Sequence, residues 1–178
     1  MAGRLLLCIA KTSDVTPRQK ARAVLAIAGF FGELPDGFYQ QRLFADGFRC
    51  AVRWKHPRLG TGKKMTVDDY CSERHVLISP GGELSGQVDK ILRRQRRSRT
   101  IVGGMSSFTV SGWIIADSDC LLTAPTRLID RLAEHFPLNT LPSPVAVPEI
   151  KIVQIWHERN HKDKAHQWFR GLVQAALK

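Results

Sequence analysis

The sequence predicts an α/β fold, and three stretches carry that prediction. Val76-Leu77-Ile78 runs as an apolar strand into the turn Ser79-Pro80-Gly81-Gly82, after which Leu84, Val88, Ile91 and Leu92 recur at the spacing of one helical face. Cys120 to Pro125 is a second buried run, followed at helical spacing by Leu128, Ile129, Leu132, Ala133 and Phe136. Ile150 to Trp156 is a third; after a basic turn, Trp168, Phe169, Leu172, Val173 and Ala176 mark the apolar face of a last helix. Repeated strand–helix units argue for a mainly parallel sheet with helices on its faces.

The remaining elements follow in chain order. Met1 to Arg22 shows no strand periodicity, and Thr12 to Pro17 reads as a loop or helix start. Val24 to Phe31 is a buried strand, and Leu34-Pro35-Asp36-Gly37 has turn chemistry, with Pro fixing φ and Gly permitting a positive one. Another strand begins near Phe38. In Phe48 to Trp54 the larger apolar side chains alternate with Arg and Ala, as in a strand with one buried face, and a basic loop follows from Lys55 to Lys64. Thr66-Val67-Asp68-Asp69 is a capping box that opens a short helix through Tyr70. Thr100 to Gly104 is a strand closed by glycines, and Phe108 to Ala116 is a helix despite Gly112. Pro137 to Pro148 holds four prolines and predicts an extended connector, because proline removes ladder donors. Asp163 caps the last helix.

Composition narrows the class. With 178 residues, 43% hydrophobic and 24% charged, the chain can bury a proper core as one domain or two small lobes, and it is neither disordered nor membrane-spanning. The apolar run Leu5 to Ala10 is shorter than a signal peptide needs, and Cys8, Cys50, Cys71 and Cys120 form no C-x-x-C pair, so reduced thiols and a cytoplasmic location are expected. The net charge of +11 favours encounter with phosphates, nucleic acids or acidic ligands. Lys90, Arg93, Arg94, Arg96, Arg97 and Arg99 concentrate much of it at a helix C-terminus; with no aromatic interleaved, the cluster reads as a solvated helix end. His157, His161 and His166 lack a regular ligand spacing, so no metal site is expected. There is no G-x-S-x-G, H-E-x-x-H or G-x-x-x-x-G-K-[ST] segment, and neither catalysis nor a cofactor is expected.

The ordered set Leu34-Pro-Asp-Gly-Phe, Arg42-Leu-Phe-Ala-Asp, Arg53-Trp-Lys-His-Pro, His75-Val-Leu-Ile-Ser-Pro, Trp156-His-Glu-Arg and Trp168-Phe-Arg resembles the effector-binding domain of LysR-type transcriptional regulators, in the branch of the nodulation and salicylate-responsive regulators. The resemblance runs from about Val24 to Leu177. It implies a periplasmic-binding-protein-like (type II) fold of two α/β lobes with a small-molecule effector in the cleft between them. Asp46 to Val147 would form the second lobe, and Val24 to Ala45 with Pro148 to Lys178 an incomplete first lobe, residues 1–23 being unassigned. The family's winged helix-turn-helix is not recognisable in the sequence, so DNA contact is expected only through an N-terminal domain outside this chain.

By the same resemblance Ser79 is an effector contact, its hydroxyl joined by N–H groups from Gly81 onward, and Ser106, Ser107 and Phe108 form the facing wall of that lobe. Salicylate-type members often carry His where Ser107 stands. Phe30 and Phe31 offer an aromatic surface at the end of a first-lobe strand, with core packing the other role for at least one of them, and Arg127 is an anion partner or a solvent-facing cation. The expected function is therefore a regulatory module that senses a small organic acid. The rival readings are a basic nucleic-acid-binding protein acting without effector, a non-functional truncated regulator, and an exported solute-binding protein. A monomer or weak homodimer is expected, with an apolar strip exposed along Val24 to Phe31.

Overall fold

The structure is a computed structural model that describes residues 7–9, 25–30, 34, 36–60, 64–79 and 82–177, with backbone alone at 7–9 and 30. Phe31, Gly81, Val24 and the stretch Thr12 to Pro17 lie outside the described residues. The chain divides into two compact units, Met1–Asp46 with Ile150–Lys178, and Gly47–Glu149.

The first unit is a four-stranded sheet in the order β1-β2-β9-β3, from β1 (Leu7–Ile9), β2 (Leu25–Phe30), β3 (Phe38–Asp46) and β9 (Ile150–His157). Leu7–Ile9 pairs in parallel with β2, which corrects the reading of Met1 to Arg22 as lacking strand structure; three residues are too few to show a period. The expected exposed strip is corrected for Leu25 to Gly29, none of which is exposed. β2 is interior, with β1 on one side and antiparallel β9 on the other, and Leu25 and Ala28 are buried. Gly37 takes φ +80° in the turn before β3, as its Pro-Asp-Gly context requires. Helix α5 (Lys164–Ala176) follows β9 after a 3₁₀ turn at Glu158–Asn160, and its Asp163 cap accepts from the His166 N–H at 2.8 Å. Its expected apolar face is only in part its covered one: Phe169 and Val173 are half-buried, but Trp168 is 68% exposed and Leu172 and Ala176 are exposed, whereas His166 and Arg170 are buried.

The second unit is a five-stranded sheet, β6-β5-β7-β4-β8, built from β4 (Phe48–Arg53), β5 (Arg74–Ile78), β6 (Thr100–Met105), β7 (Cys120–Pro125) and β8 (Leu138–Pro142). β6, β5 and β7 pair in parallel; β4 runs antiparallel to both β7 and β8, so the sheet is mixed, with β4 the one strand reversed against a common direction. β8 also revises the Pro137-to-Pro148 connector. Its proline stands at the end of an edge strand, where the missing N–H costs no ladder bond.

Successive residues of a strand point to opposite faces, and this splits the core in two. Cys50, Val52 and Leu121 pack against Tyr70 of α1 (Val67–Ser72) and Val88 and Leu92 of α2 (Gln87–Arg94). Ala51, Leu122 and Ala124 pack against Ile115 of α3 (Phe108–Ala116) and Ile129 and Leu132 of α4 (Thr126–His135). Each fully buried Leu or Ile contributes about 1.5–3 kcal/mol of transfer free energy, so both faces of central β7 anchor the unit. The Thr66–Asp69 capping box forms, with Asp69 N–H on Thr66 Oγ1 at 3.1 Å and Thr66 N–H on Asp69 Oδ2 at 2.9 Å. Gly112 is a packing requirement in α3, since a Cβ there would overlap the Phe136 ring.

Candidate functional site

Because β5, β6 and β7 are adjacent and parallel, their carboxyl ends share one edge of the second unit's sheet. That edge of an open α/β sheet is where ligands bind, since strand ends and helix N-termini leave N–H groups unpaired. The structure brings Ser79, Ser106, Ser107, Phe108 and Arg127 to it, each in the turn or first helical residues after a strand. Ser79 is buried; its N–H donates to Met105 O at 2.7 Å, tying the end of β5 to that of β6. Ser106, Ser107, Phe108 and Arg127 are exposed. Phe30 ends β2 in the other unit.

The helix N-termini at this edge differ, and the difference relocates the expected anion donors. The sequence reading began the helix at Leu84. In the structure α2 begins at Gln87, leaving Leu84 outside it and 60% exposed, because Ser85 and Gly86 are weak helix formers and the turn closes only at Asp89. The Asp89 carboxylate accepts from the Gly86 N–H at 2.6 Å, so this N-terminus already holds a negative charge. The first turns of α3 and α4 contain no acidic residue. Ser107 caps α3, its hydroxyl accepting from Val110 N–H at 3.4 Å, and the N–H groups of that first turn face the same edge as the Ser106 hydroxyl. Arg127 adds a guanidinium in the first turn of α4.

Sequence reasoning missed Glu83. The Ser79 hydroxyl donates to Glu83 Oε2 at 2.7 Å, so it is already committed to a carboxylate four residues on. It also missed a buried polar clasp behind the site. Arg99 forks onto Asp89 (Nε to Oδ1 2.8 Å, Nη2 to Oδ2 3.0 Å) with its side chain 1% exposed, which corrects its assignment to a solvated helix end. Arg99 Nη1 donates to Tyr70 Oη at 2.8 Å, and that phenol shares a 2.8 Å hydrogen bond with Thr123 Oγ1. His75 Nε2 donates to Tyr70 O at 2.8 Å, and its Nδ1 stands 3.4 Å from Arg99 Nη1.

These contacts set the charge states. Burial pushes His75 down to about 4 and the Arg99 charge acts in the same direction, so the ring is neutral with Nε2 protonated. Burial pushes the Tyr70 phenol up to about 12 and the Cys50 thiol up to about 11. For Asp89, burial raises the carboxyl, but the Arg99 and Gly86 donors outweigh it and hold the group below the usual carboxylate value. In the first unit the three histidines have local partners instead: His157 Nδ1 accepts from Arg159 N–H, Trp156 Nε1 donates to His161 Nδ1 at 3.3 Å, and Arg170 donates to His166 Nδ1 at 2.6 Å.

Two α/β units, one of them ending three parallel strands at a common edge, are an architecture in which small-molecule sites lie at strand carboxyl ends. The chain belongs to the LysR substrate binding domain family, whose sequence profile matches residues 7–178. That match opens ahead of Val24 and takes in β1, extending the resemblance read from the sequence. Relatives include the HTH-type transcriptional activator NahR of Pseudomonas putida, 37% identical over 145 residues (82% of this chain, 48% of NahR). Another is the HTH-type transcriptional regulator SyrM of Rhizobium meliloti, 34% identical over 151 residues (84% of this chain, 46% of SyrM). The chain thus spans about half the length of these two relatives. Among solved structures, the regulatory domain of MexT from Pseudomonas aeruginosa superposes with a TM-score of 0.76 at 24% identity, covering 89% of this chain and 76% of that one. The fold is that of LysR effector-binding domains, periplasmic-binding-protein-like type II. No helix among the described residues is long and apolar enough to cross a membrane.

Proposed function

We propose that this domain is the non-catalytic, ligand-sensing part of a cytoplasmic LysR-type regulator and that it binds a small organic acid at the carboxyl edge of β5, β6 and β7. The observation that carries the reading is the Ser79–Glu83 hydrogen bond at that edge: a buried strand-end hydroxyl already presents its proton to a carboxylate oxygen. A ligand carboxylate takes over that bond by replacing Glu83. Ser106, Ser107, the free N–H groups of the α3 first turn and Arg127 supply the surrounding positive potential, and Phe108 an aromatic surface. DNA reading is assigned to a separate domain, in keeping with relatives named as HTH-type regulators. Weak self-association belongs to the same proposal, supported by Val110 and Trp113, which lie exposed on α3.

Thermal shift with a panel of aromatic and aliphatic carboxylates tests this. A ligand at a hundred times its Kd adds about 2.7 kcal/mol of stability. Ser79→Ala is expected to weaken the bound acid about tenfold, the loss of one charge-assisted hydrogen bond. Glu83→Gln is expected to tighten it, because the competing carboxylate is gone. A folded sample that responds to no acid sinks the proposal, and so does a Glu83→Gln variant that binds acid more weakly than the parent.

A further inference from the structure

The Lys90-to-Arg99 cluster is not one uniform cationic surface. The Arg99 side chain is buried in its fork with Asp89 and forms part of the floor of an open depression of about 350 Å³ beside α2, which Arg93 and Arg97 line together with Leu84, Ser85, Ser98 and Ile101. That volume lies at the lower end of the range for small-ligand sites. Arg93 reaches only the Ser85 hydroxyl, at 3.5 Å from both terminal nitrogens, and forms no ion pair among the described residues. Arg97 touches Asp68, whose side chain is 82% exposed, so an incoming anion meets a solvent-screened competitor. Asp89, also on the wall, is already neutralised by the Arg99 fork.

The placement of these cations is fixed by backbone geometry. α2 ends in a closure in which Arg97 N–H donates to Leu92 O at 2.9 Å and Arg96 N–H to Arg93 O at 3.0 Å. Arg96 takes φ 55° there, the one non-glycine residue among those described with positive φ. Two unburied arginines and two serines line one concavity, a composition that suits an anion with several oxygens and more than one charge. The lining holds no aromatic ring for base stacking, and its concave shape suits a small molecule better than a nucleic-acid strand.

We propose that this depression is a second anion site, for the phosphate or pyrophosphate group of a small molecule, independent of the carboxylate site at the strand ends. The test is titration of the full 178-residue chain with inorganic pyrophosphate at constant ionic strength, followed by calorimetry and by backbone amide shifts. Saturable one-to-one binding is expected, with amide shifts confined to Leu84–Ser85 and Arg93–Ile101. Arg93→Gln and Arg97→Gln should each weaken it about tenfold or more, the loss of roughly one charge-assisted contact. Arg94→Gln removes the same charge from the same helix end outside the depression and should leave binding unchanged. Equal weakening by Arg94→Gln, or loss of binding once ionic strength is matched, would mean a diffuse cationic face and overturn the proposal. Retention on duplex DNA that saturating pyrophosphate fails to displace would assign the cluster to a polyanion and overturn it equally.

Discussion

Among the described residues, each unit buries one arginine side chain, and the two are held by opposite means. Arg99 is forked onto a carboxylate, Asp89, and joined to Tyr70 and His75. Arg170 forms no ion pair among the described residues, the Asp163 charge acting on it only through space; it stacks on the Trp156 ring with its Cζ 4.2 Å from the centroid and donates to Asn160 O at 3.3 Å, His161 O at 3.2 Å and His166 Nδ1 at 2.6 Å. The first arrangement creates a mutual dependence, because removing either partner strands a buried charge. The second leaves only neutral acceptors behind. Arg99→Met is therefore expected to cost about 3–5 kcal/mol, more than the loss of Arg170, with urea unfolding as the measurement. Asp89→Leu added to it should recover part of that loss, since the orphaned carboxylate goes too. A cost below about 1 kcal/mol for Arg99→Met would show that water reaches the clasp.

The next effect is a pH dependence carried by His75 of the Arg99 clasp. Folded His75 holds its neutral form down to about 4, whereas an unfolded histidine takes up its proton near 6.5. Above pH 6.5 both states are neutral and His75 contributes no slope. As pH falls from 6.5 toward 4 the unfolded state binds the proton first, so stability declines, levelling below 4 at a loss of roughly 3 kcal/mol. Asp89 adds its own loss only at lower pH, where its depressed carboxyl protonates. Stability curves of the parent and of His75→Gln between pH 7 and 4.5 should diverge by most of this, about 2 kcal/mol; parallel curves would mean that His75 is already charged or already solvated.

Arg170→Met sharpens the contrast from the other side. It is expected to cost about 1–2 kcal/mol, the sum of lost hydrogen bonds to carbonyls that water can partly replace and of one cation–π contact. The matching pair, Trp156→Leu with and without Arg170→Met, measures their coupling, and a coupling near zero would reduce the stack to a packing accident. If Arg170→Met proved as damaging as Arg99→Met, the distinction between a charge-paired and a carbonyl-held arginine would fail for this protein.

These two arginines also mark the limit of what could be read from the sequence. The strand–helix alternation, the Thr66–Asp69 box, the Asp163 cap and the turn at Gly37 were legible because each rests on local spacing or on one residue's backbone preference. The family resemblance was legible for a different reason, an ordered set of short motifs that no single period explains. What stayed hidden depends on partners far apart in sequence. Arg99 meets Tyr70 across 29 residues, and nothing in the run from Lys90 to Arg99 separates the one buried cation from the exposed ones. On α5 the apolar stripe pointed to Trp168 and Leu172, while the buried face is carried by His166 and Arg170, whose polar heads find acceptors only once β9 and the 3₁₀ turn are in place. At the candidate site, Ser79 could be singled out by its turn, but its Glu83 partner could not, since hydroxyl-to-carboxylate contacts leave no periodic trace.

The smallest expected effect concerns the turn that delivers Arg97 past the end of α2, and it runs in the stabilising direction. Arg96 occupies the position after the helix cap where glycine is usual, at φ 55°. A side chain there brings Cβ close to the following carbonyl at a cost of about 1–2 kcal/mol, while glycine gives back roughly 0.5–1 kcal/mol through the greater entropy of its unfolded chain. Arg96→Gly should thus raise stability by about 0.5–1 kcal/mol, with the hydrogen bonds from Arg97 N–H to Leu92 O and from Arg96 N–H to Arg93 O intact. Amide hydrogen exchange at Arg96 and Arg97 checks the second half of that expectation. Arg96→Ala separates backbone strain from charge: it removes the same cation but keeps Cβ, so it should leave stability near the parent's. If Arg96→Ala stabilises as much as Arg96→Gly, the gain comes from relieving repulsion among Arg93, Arg94 and Arg97, and the left-handed turn is not where the cost lies.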